Sequence, residues 1–234
     1  MTVHLVGAGP GDPELVTVRG AKLLADADVI LHDRLAAPLL ALAGANAEIV
    51  DVGKAPGSAP VSQDDINRLI VEHGRRHDCV VRLKGGDPYI FARGAEEVEA
   101  LRAAGIDYTV VPGISSVLAA PAAAGAPLTC RGVTHTFTVL SGHTDPATWA
   151  AGYAEALVSL GGTIVVMMGA ARLARIAEHL IAAGADPATP VVAAHSATTP
   201  HEVVARATLG DVGPALLASP AVFVIGEVAA IDLR

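Results

Sequence analysis

Val3-His4-Leu5-Val6 followed by Gly7-Ala8-Gly9-Pro10-Gly11-Asp12 passes from a short apolar strand straight into a glycine loop. Beyond the loop, Val18, Ala21 and Leu24 recur at helical spacing, and Val29-Ile30-Leu31 reads as the next strand. This succession decides the fold class, because alternating strands and helices build an α/β protein around a largely parallel sheet. Further along, Ser62 and Asp65 form a variant capping box, after which Ile66, Leu69, Ile70 and His73 mark one helix face. Residues 79–83 read as a strand that stops at Lys84-Gly85-Gly86-Asp87-Pro88, where two glycines and a proline prevent further regular pairing. A helix near 94–104 and a strand over 108–111 lead to Pro112-Gly113, the candidate hinge.

The second half repeats the alternation, with strands expected near 137–140, 163–168, 190–194, 203–207 and 222–225. Only the polar turn 196–202 separates the third of these from the fourth, so antiparallel pairing is predicted there. The length of 234 residues suits two modest domains, placed at 1–112 and 113–234, with a second sheet of mixed parallel and antiparallel strands.

Apolar residues make up 52% of the chain and charged residues 17%, which supports a sizeable core and argues against extensive disorder. Mean hydropathy is +0.48. The richest apolar stretches, 117–128 and 221–231, are nevertheless broken by Pro, Gly or Glu well short of a membrane span, so no membrane partner is expected. The opening Met1-Thr2-Val3-His4 lacks the basic and then apolar run of a signal peptide, and a cytoplasmic location is expected. Cys79 and Cys130 show no paired spacing for zinc or redox chemistry and read as buried thiols. A net charge of -8 disfavours nucleic acid as a partner, so an anionic small molecule would have to be met by a local basic pocket.

Gly7-x-Gly9-x-Gly11 between a strand and a helix has the outline of a dinucleotide fingerprint, and Asp33 falls where a nicotinamide enzyme places its ribose-binding acid. Against that reading, Pro10 and Asp12-Pro13 put a stiff, acidic turn where the last glycine belongs. A second loop, Gly85-Gly86-Asp87-Pro88, offers backbone groups at another strand end, although alone it reads equally as a tight turn capped by Asp87. Just beyond it, Arg93 stands beside Glu96 and Glu97 at a helix start. His73 and His77 lie four apart on a helix, but Gly74-Arg75-Arg76 supplies no carboxylate between them, and no metal is expected.

The motifs Gly-Ala-Gly-Pro-Gly-Asp at 7–12, Arg-Leu-Lys-Gly-Gly-Asp-Pro at 82–88, Arg-Gly-x-Glu-Glu at 93–97 and Val-Pro-Gly-Ile at 111–114 occur in one order and spacing. Together with Pro-Leu-Thr-Cys-Arg-Gly at 127–132, Ser-Gly-His at 141–143, Met-Met-Gly at 167–169 and Thr-Thr-Pro at 198–200, the chain resembles the tetrapyrrole methylase family over almost its whole length. Asp-Arg-Leu at 33–35, Val-Gly-Lys at 52–54 and Ser-Gln-Asp-Asp-Ile-Asn at 62–67 are most similar to the branch that acts on uroporphyrinogen III. The resemblance implies a homodimer of two α/β lobes with a ligand cleft between them. It implies S-adenosylmethionine as methyl donor, S-adenosylhomocysteine as product, and two C-methylations that yield precorrin-2.

Carried over by motif, the donor-binding residues are Pro10, Gly85, Gly86, Asp87, Ile90, Ser115, Ser116, Met168, Ala197 and Ala221. Arg93, Arg131 and Lys54 fall to the acceptor, whose acetate and propionate groups suit cationic partners, the planar guanidinium fork above all. Asp33 or Glu96 is the candidate base toward a pyrrole N–H, and Glu96 also stands where it can orient Arg93. The chain departs from the family pattern at Cys130, at Ala92 and in the weakly polar loop 55–60. A methylase of a later precorrin, a nicotinamide-dependent dehydrogenase and a noncatalytic tetrapyrrole binder remain the alternatives.

Overall fold

The computed structural model describes residues 1–53, 61–213 and 218–234. They divide into two compact units, Met1–Ser115 and Ser116–Arg234.

In the first unit, strands β1 (Thr2–Gly7), β2 (Val29–His32), β3 (Glu48–Asp51), β4 (Cys79–Lys84) and β5 (Asp107–Val111) alternate with helices α1 (Val18–Asp26), α2 (Gln63–Gly74) and α3 (Gly94–Ala103). The five strands form one parallel sheet in the order β3-β2-β4-β1-β5. Side chains alternate across each strand, so the central strands β1, β2 and β4 feed two cores. Val3, Leu5 and Val80 pack with Ile66, Ile70 and Leu101 on one face, and Val6, Val81 and Leu83 pack with Leu24 and Leu39 on the other. Burial on both faces is why β2 and β4 read as near-continuous apolar runs.

The starts of α1 and α2 are fixed by side chains that satisfy free amides. The Thr17 hydroxyl accepts from the Gly20 N–H at 3.1 Å. Ser62 Oγ accepts from the Asp65 N–H at 3.1 Å while its hydroxyl donates to Asp65 Oδ2 at 2.7 Å. The acid therefore returns to the cap's hydroxyl, not to its backbone amide as in the ordinary box. Strand β3 and the 3-10 helix Arg34–Leu42 were not anticipated from sequence.

The second unit holds β6 (Phe137–Ser141), β7 (Thr163–Met167), β8 (Pro190–His195), β9 (Val203–Thr208) and β10 (Ala221–Ile225), with α4 (Ser116–Ala123), α5 (Tyr153–Leu160) and α6 (Leu173–Ala182). Its order is β6-β7-β10-β8-β9. β6 and β7 are parallel, whereas β10 runs against β7 and β8, and β9 runs against β8. The mixed sheet and the short β8–β9 turn are as the sequence predicts. Phe223 and Ile225 face the core that holds Leu173, Ile176 and Leu180, while Val222 and Val224 face the core that holds Val117 and Ala120. Cys79 and Cys130 are free thiols and half-buried, less covered than expected because each stands at the margin of its core.

Candidate active site

All strands of a parallel sheet end on the same side, and ligands of such sheets gather there. In the first unit that side is built of backbone against backbone. The Gly9 N–H donates to the Gly86 carbonyl at 3.2 Å and the Gly86 N–H to the Gly9 carbonyl at 2.8 Å, which joins the loop after β1 to the loop after β4. A Cβ on Gly7 would lie 2.4 Å from the Gly113 nitrogen, and one on Gly113 would lie 2.2 Å from the Gly86 oxygen. No side chain fits at either position. Asp87 ties the same loops together, since its Oδ1 accepts from the Tyr89 N–H at 2.8 Å and its Oδ2 from the Gly113 N–H at 3.1 Å. The capped-turn reading of Asp87 is thus realised, and what its loop has left to offer a ligand is backbone.

The dinucleotide alternative loses both of its supports. β4 is inserted between β1 and β2, so Asp33 at the end of β2 does not stand on the strand next to the first glycine loop. The loop also runs into a 3-10 turn, Pro13–Leu15, capped by Asp12, and the first α-helix begins only after Thr17 has closed its own N-terminus. A pyrophosphate needs that helix end open.

Asp33 belongs instead to a chain of charges. Arg82 and Lys84, two apart on β4, point to the same face and are buried, as is Glu97 on α3. Arg82 Nε and Lys84 Nζ each donate to Glu97 Oε1 at 2.9 Å, and Arg82 Nη2 donates to Asp33 Oδ1 at 2.5 Å. Two cations and two carboxylates balance. Burial alone would lower the Arg82 guanidinium, but Glu97 and Asp33 outweigh it and hold it above its ordinary value. Burial, reinforced by the Arg82 charge, pushes the Lys84 ammonium down despite Glu97. The Asp33 side chain remains 34% exposed, and its Oδ2 makes no bond among the described residues. One oxygen is anchored and the other faces outward.

Arg93 and Glu96 form a second, exposed pair one turn away at the start of α3. Arg93 Nε and Nη2 donate to the two Glu96 oxygens at 2.7 and 2.6 Å, the orienting contact that the spacing suggests. The Arg93 hydrogen bond holds the Glu96 carboxyl below its ordinary value and leaves it a weaker base. Around these charges, Leu35, Tyr89, Ile90 and Phe91 are exposed large apolar side chains on the segments that follow β2 and β4. The two segments are neighbours, because a Cβ on Gly85 would lie 3.6 Å from Leu35 Cβ. An apolar surface beside guanidinium groups suits an apolar ring that carries carboxylates.

In the second unit, Ala221 pairs with His195 and Val222 with Met167. Met168, Ala197 and Ala221 therefore share one end of that sheet. Met168, Ser196 and Thr198 take positive φ angles of 55°, 45° and 68°, as do Phe91 and Arg93 in the first unit at 52° and 58°. Such backbone costs about 1–3 kcal/mol per residue and concentrates where ligands bind. β7 ends at Met167, one residue earlier than expected, because Met168 turns left-handed.

Arg131 stands elsewhere. Its exposed turn, closed by Cys130 and Thr134, flanks the first residues of β6 and β7, where the Thr163 hydroxyl donates to the Leu128 carbonyl at 2.9 Å. Ser115 is buried and Ser116 opens α4. Lys54 and the loop 55–60 lie outside the described residues. The sequence reading missed Arg82, Lys84 and Glu97 as site residues. Their signal was present in two basic residues at alternate positions of an otherwise apolar strand, which must find an acid when they are buried.

A family model of the Tetrapyrrole (Corrin/Porphyrin) Methylases matches residues 2–213. The chain is 43% identical over 232 residues to an S-adenosyl-L-methionine-dependent uroporphyrinogen III methyltransferase of Methanosarcina barkeri, covering 97% of this chain and 91% of that protein. A crystal structure of the uroporphyrin-III C-methyl transferase of Thermus thermophilus complexed with S-adenyl homocysteine is 41% identical, with a TM-score of 0.83 over 98% of this chain and 99% of that one. A cobalt precorrin-4 methyltransferase, a cobalamin biosynthetic enzyme, is 29% identical with a TM-score of 0.85, covering 97% and 95%.

Proposed function

The chain belongs to the tetrapyrrole methylases, and from that premise we propose that it uses S-adenosylmethionine to methylate two ring carbons of uroporphyrinogen III, giving precorrin-2. The observation that carries this reading is the near-full-length match to a uroporphyrinogen III methyltransferase. The exposed apolar segments beside Asp33 and Arg93 support it.

The donor, when bound, supplies a methyl group made electrophilic by its sulfonium. By motif, Pro10, Gly85, Gly86, Asp87, Ile90, Ser115, Ser116, Met168, Ala197 and Ala221 are assigned to hold it. Backbone groups and shape do most of this work, as the prior engagement of the Asp87 carboxylate supports. Asp33 is assigned to the acceptor's pyrrole N–H. With one oxygen anchored by Arg82, it presents the other as hydrogen-bond acceptor or base, which raises the nucleophilicity of the ring carbon. Glu96 is assigned to orient Arg93, and its lowered carboxyl makes it the weaker of the two candidate bases. Arg93 and Lys54 receive the acceptor's carboxylates. Arg131 is assigned with them on the resemblance alone, since its turn flanks the far end of the second sheet from Met168. The same reading makes the protein a cytoplasmic homodimer. No helix among the described residues is long and apolar enough to cross a membrane.

A methyl-transfer assay with mass detection tests the reading, with uroporphyrinogen III and later precorrins offered separately. A product heavier by two methyl groups from uroporphyrinogen III is expected. Methylation of a later precorrin alone would move the chain to the sibling activity, which the likeness to a cobalt precorrin-4 methyltransferase keeps as the second reading.

A further inference from the structure

At the other end of the first sheet, where the strands begin, one ligand atom each from Glu48, His73 and His77 lies within 4.8 Å of the other two. His73 stands in the last turn of α2, and His77 lies three residues past its end. The His77 N–H donates to the His73 carbonyl at 3.1 Å, so the helical repeat continues past Gly74 and puts both imidazoles on one face. Their ring centroids are 5.7 Å apart with planes inclined by 29°. His73 Nδ1 is buried and has no hydrogen-bond partner among the described residues. The carboxylate that the sequence between the histidines does not supply arrives from β3, whose first residue is Glu48.

We propose that Glu48, His73 and His77 bind a divalent transition cation of the zinc class, at a site separate from the candidate active site. Two imidazole nitrogens and one carboxylate oxygen form a familiar three-ligand set for zinc, with water completing the shell. Imidazole ligands select against calcium and magnesium, which require shells of oxygen. Metal–ligand bonds of about 2.0–2.2 Å bring ligand atoms to within roughly 3.5 Å of one another. The exposed Glu48 side chain can swing to close the remaining gap. Arg76 does not compete for that carboxylate, because it is paired with Glu72 at 2.9 Å.

The ion would act as a staple. Among the described residues β3 is an edge strand paired with β2, and Glu48, Ile49 and Asp51 are exposed. A cation shared by Glu48 and the end of α2 ties that strand to the helix layer, and ligation of the native state raises its stability by mass action.

Calorimetric titration of the chelator-stripped full chain with zinc chloride, paired with thermal melts followed by circular dichroism, tests the site. One zinc per chain and a melting temperature raised by the metal are expected. His77→Ala and Glu48→Gln should each weaken binding by about tenfold or more, in keeping with the loss of one of three protein ligands, while His201→Ala, in the second unit, should bind as wild type. If His77→Ala fails to fold, Glu48→Gln on the exposed start of β3 carries the test. The absence of stoichiometric zinc binding, or zinc bound with wild-type affinity by Glu48→Gln, would overturn the proposal.

Discussion

The two sheets share one device and differ in what they add to it. In each, loops after parallel strands pack glycine against glycine: Gly7, Gly86 and Gly113 in the first unit, and Gly142 against Gly169 in the second, where a Cβ on Gly142 would lie 2.4 Å from Gly169 Cα. The first sheet adds charge. Arg82, Lys84 and Glu97 are its buried charges, whereas the buried polar residues of the second unit are Thr134 and Thr163 among those described. Left-handed backbone is common to both, at Phe91 and Arg93 in the first unit and at Met168, Ser196 and Thr198 in the second. Under the proposed function the base Asp33 and the carboxylate-binding Arg93 and Lys54 belong to the first unit, while the second contributes donor-binding positions and Arg131.

Substitution can break this contrast, and the largest effect is expected at Asp33. Asp33→Asn keeps an acceptor for Arg82 but removes the base, so turnover should fall by about 10²–10⁴ with S-adenosylhomocysteine affinity preserved. Steady-state kinetics beside calorimetry would check this, and a variant with unchanged kcat would remove Asp33 from the chemistry. Next comes Glu97→Ala, which leaves Arg82 and Lys84 buried without their shared acid. A stability loss of about 3–5 kcal/mol is expected in urea unfolding, and a value near zero would mean that the network is not formed in solution. Gly113→Ala drives a methyl group into the Gly86 carbonyl and should cost about 1–3 kcal/mol, whereas Gly132→Ala, with nothing within 4 Å of its Cβ, should lose only what a positive φ exacts. Equal losses would refute backbone close-packing as the reason for glycine at 113.

The smallest effect concerns pH. Because the Glu96 carboxyl is held below its ordinary value by Arg93, whatever stability the pair adds is present above the ordinary carboxylate range and is lost as pH falls through the lowered value. Carboxyl NMR titration should find the Glu96 pKa rising toward its ordinary value in Arg93→Ala. An unmoved titration would show the pair to be absent from solution.

Much of the first unit was legible in the sequence because its central strands are buried on both faces and two of its helices, α1 and α2, begin at hydroxyl caps that sequence displays. β3 was not, since Ile49 and Val50 stand between Glu48 and Asp51 and a half-exposed edge leaves little apolar pattern to find. Strand order was equally hidden. Periodicity reports which face a residue takes and not which strand lies beside it, so the insertion of β4 between β1 and β2, which separates Asp33 from the first glycine loop, had to come from the fold. The zinc-class cluster escaped for the same reason, because its carboxylate is distant in sequence. The pairing of Arg93 with Glu96 was readable, since both lie on one helical turn.

The central position of β1 has a consequence for how the chain is made. Of the five strands of its sheet β1 is translated first, yet its neighbours on the two sides, β4 and β5, are completed only at Lys84 and Val111. Long-range parallel pairing must meet the entropy of loop closure before any contact rewards it. The first unit therefore emerges from the ribosome as a strand waiting for both partners, and it can close only when synthesis has passed residue 111.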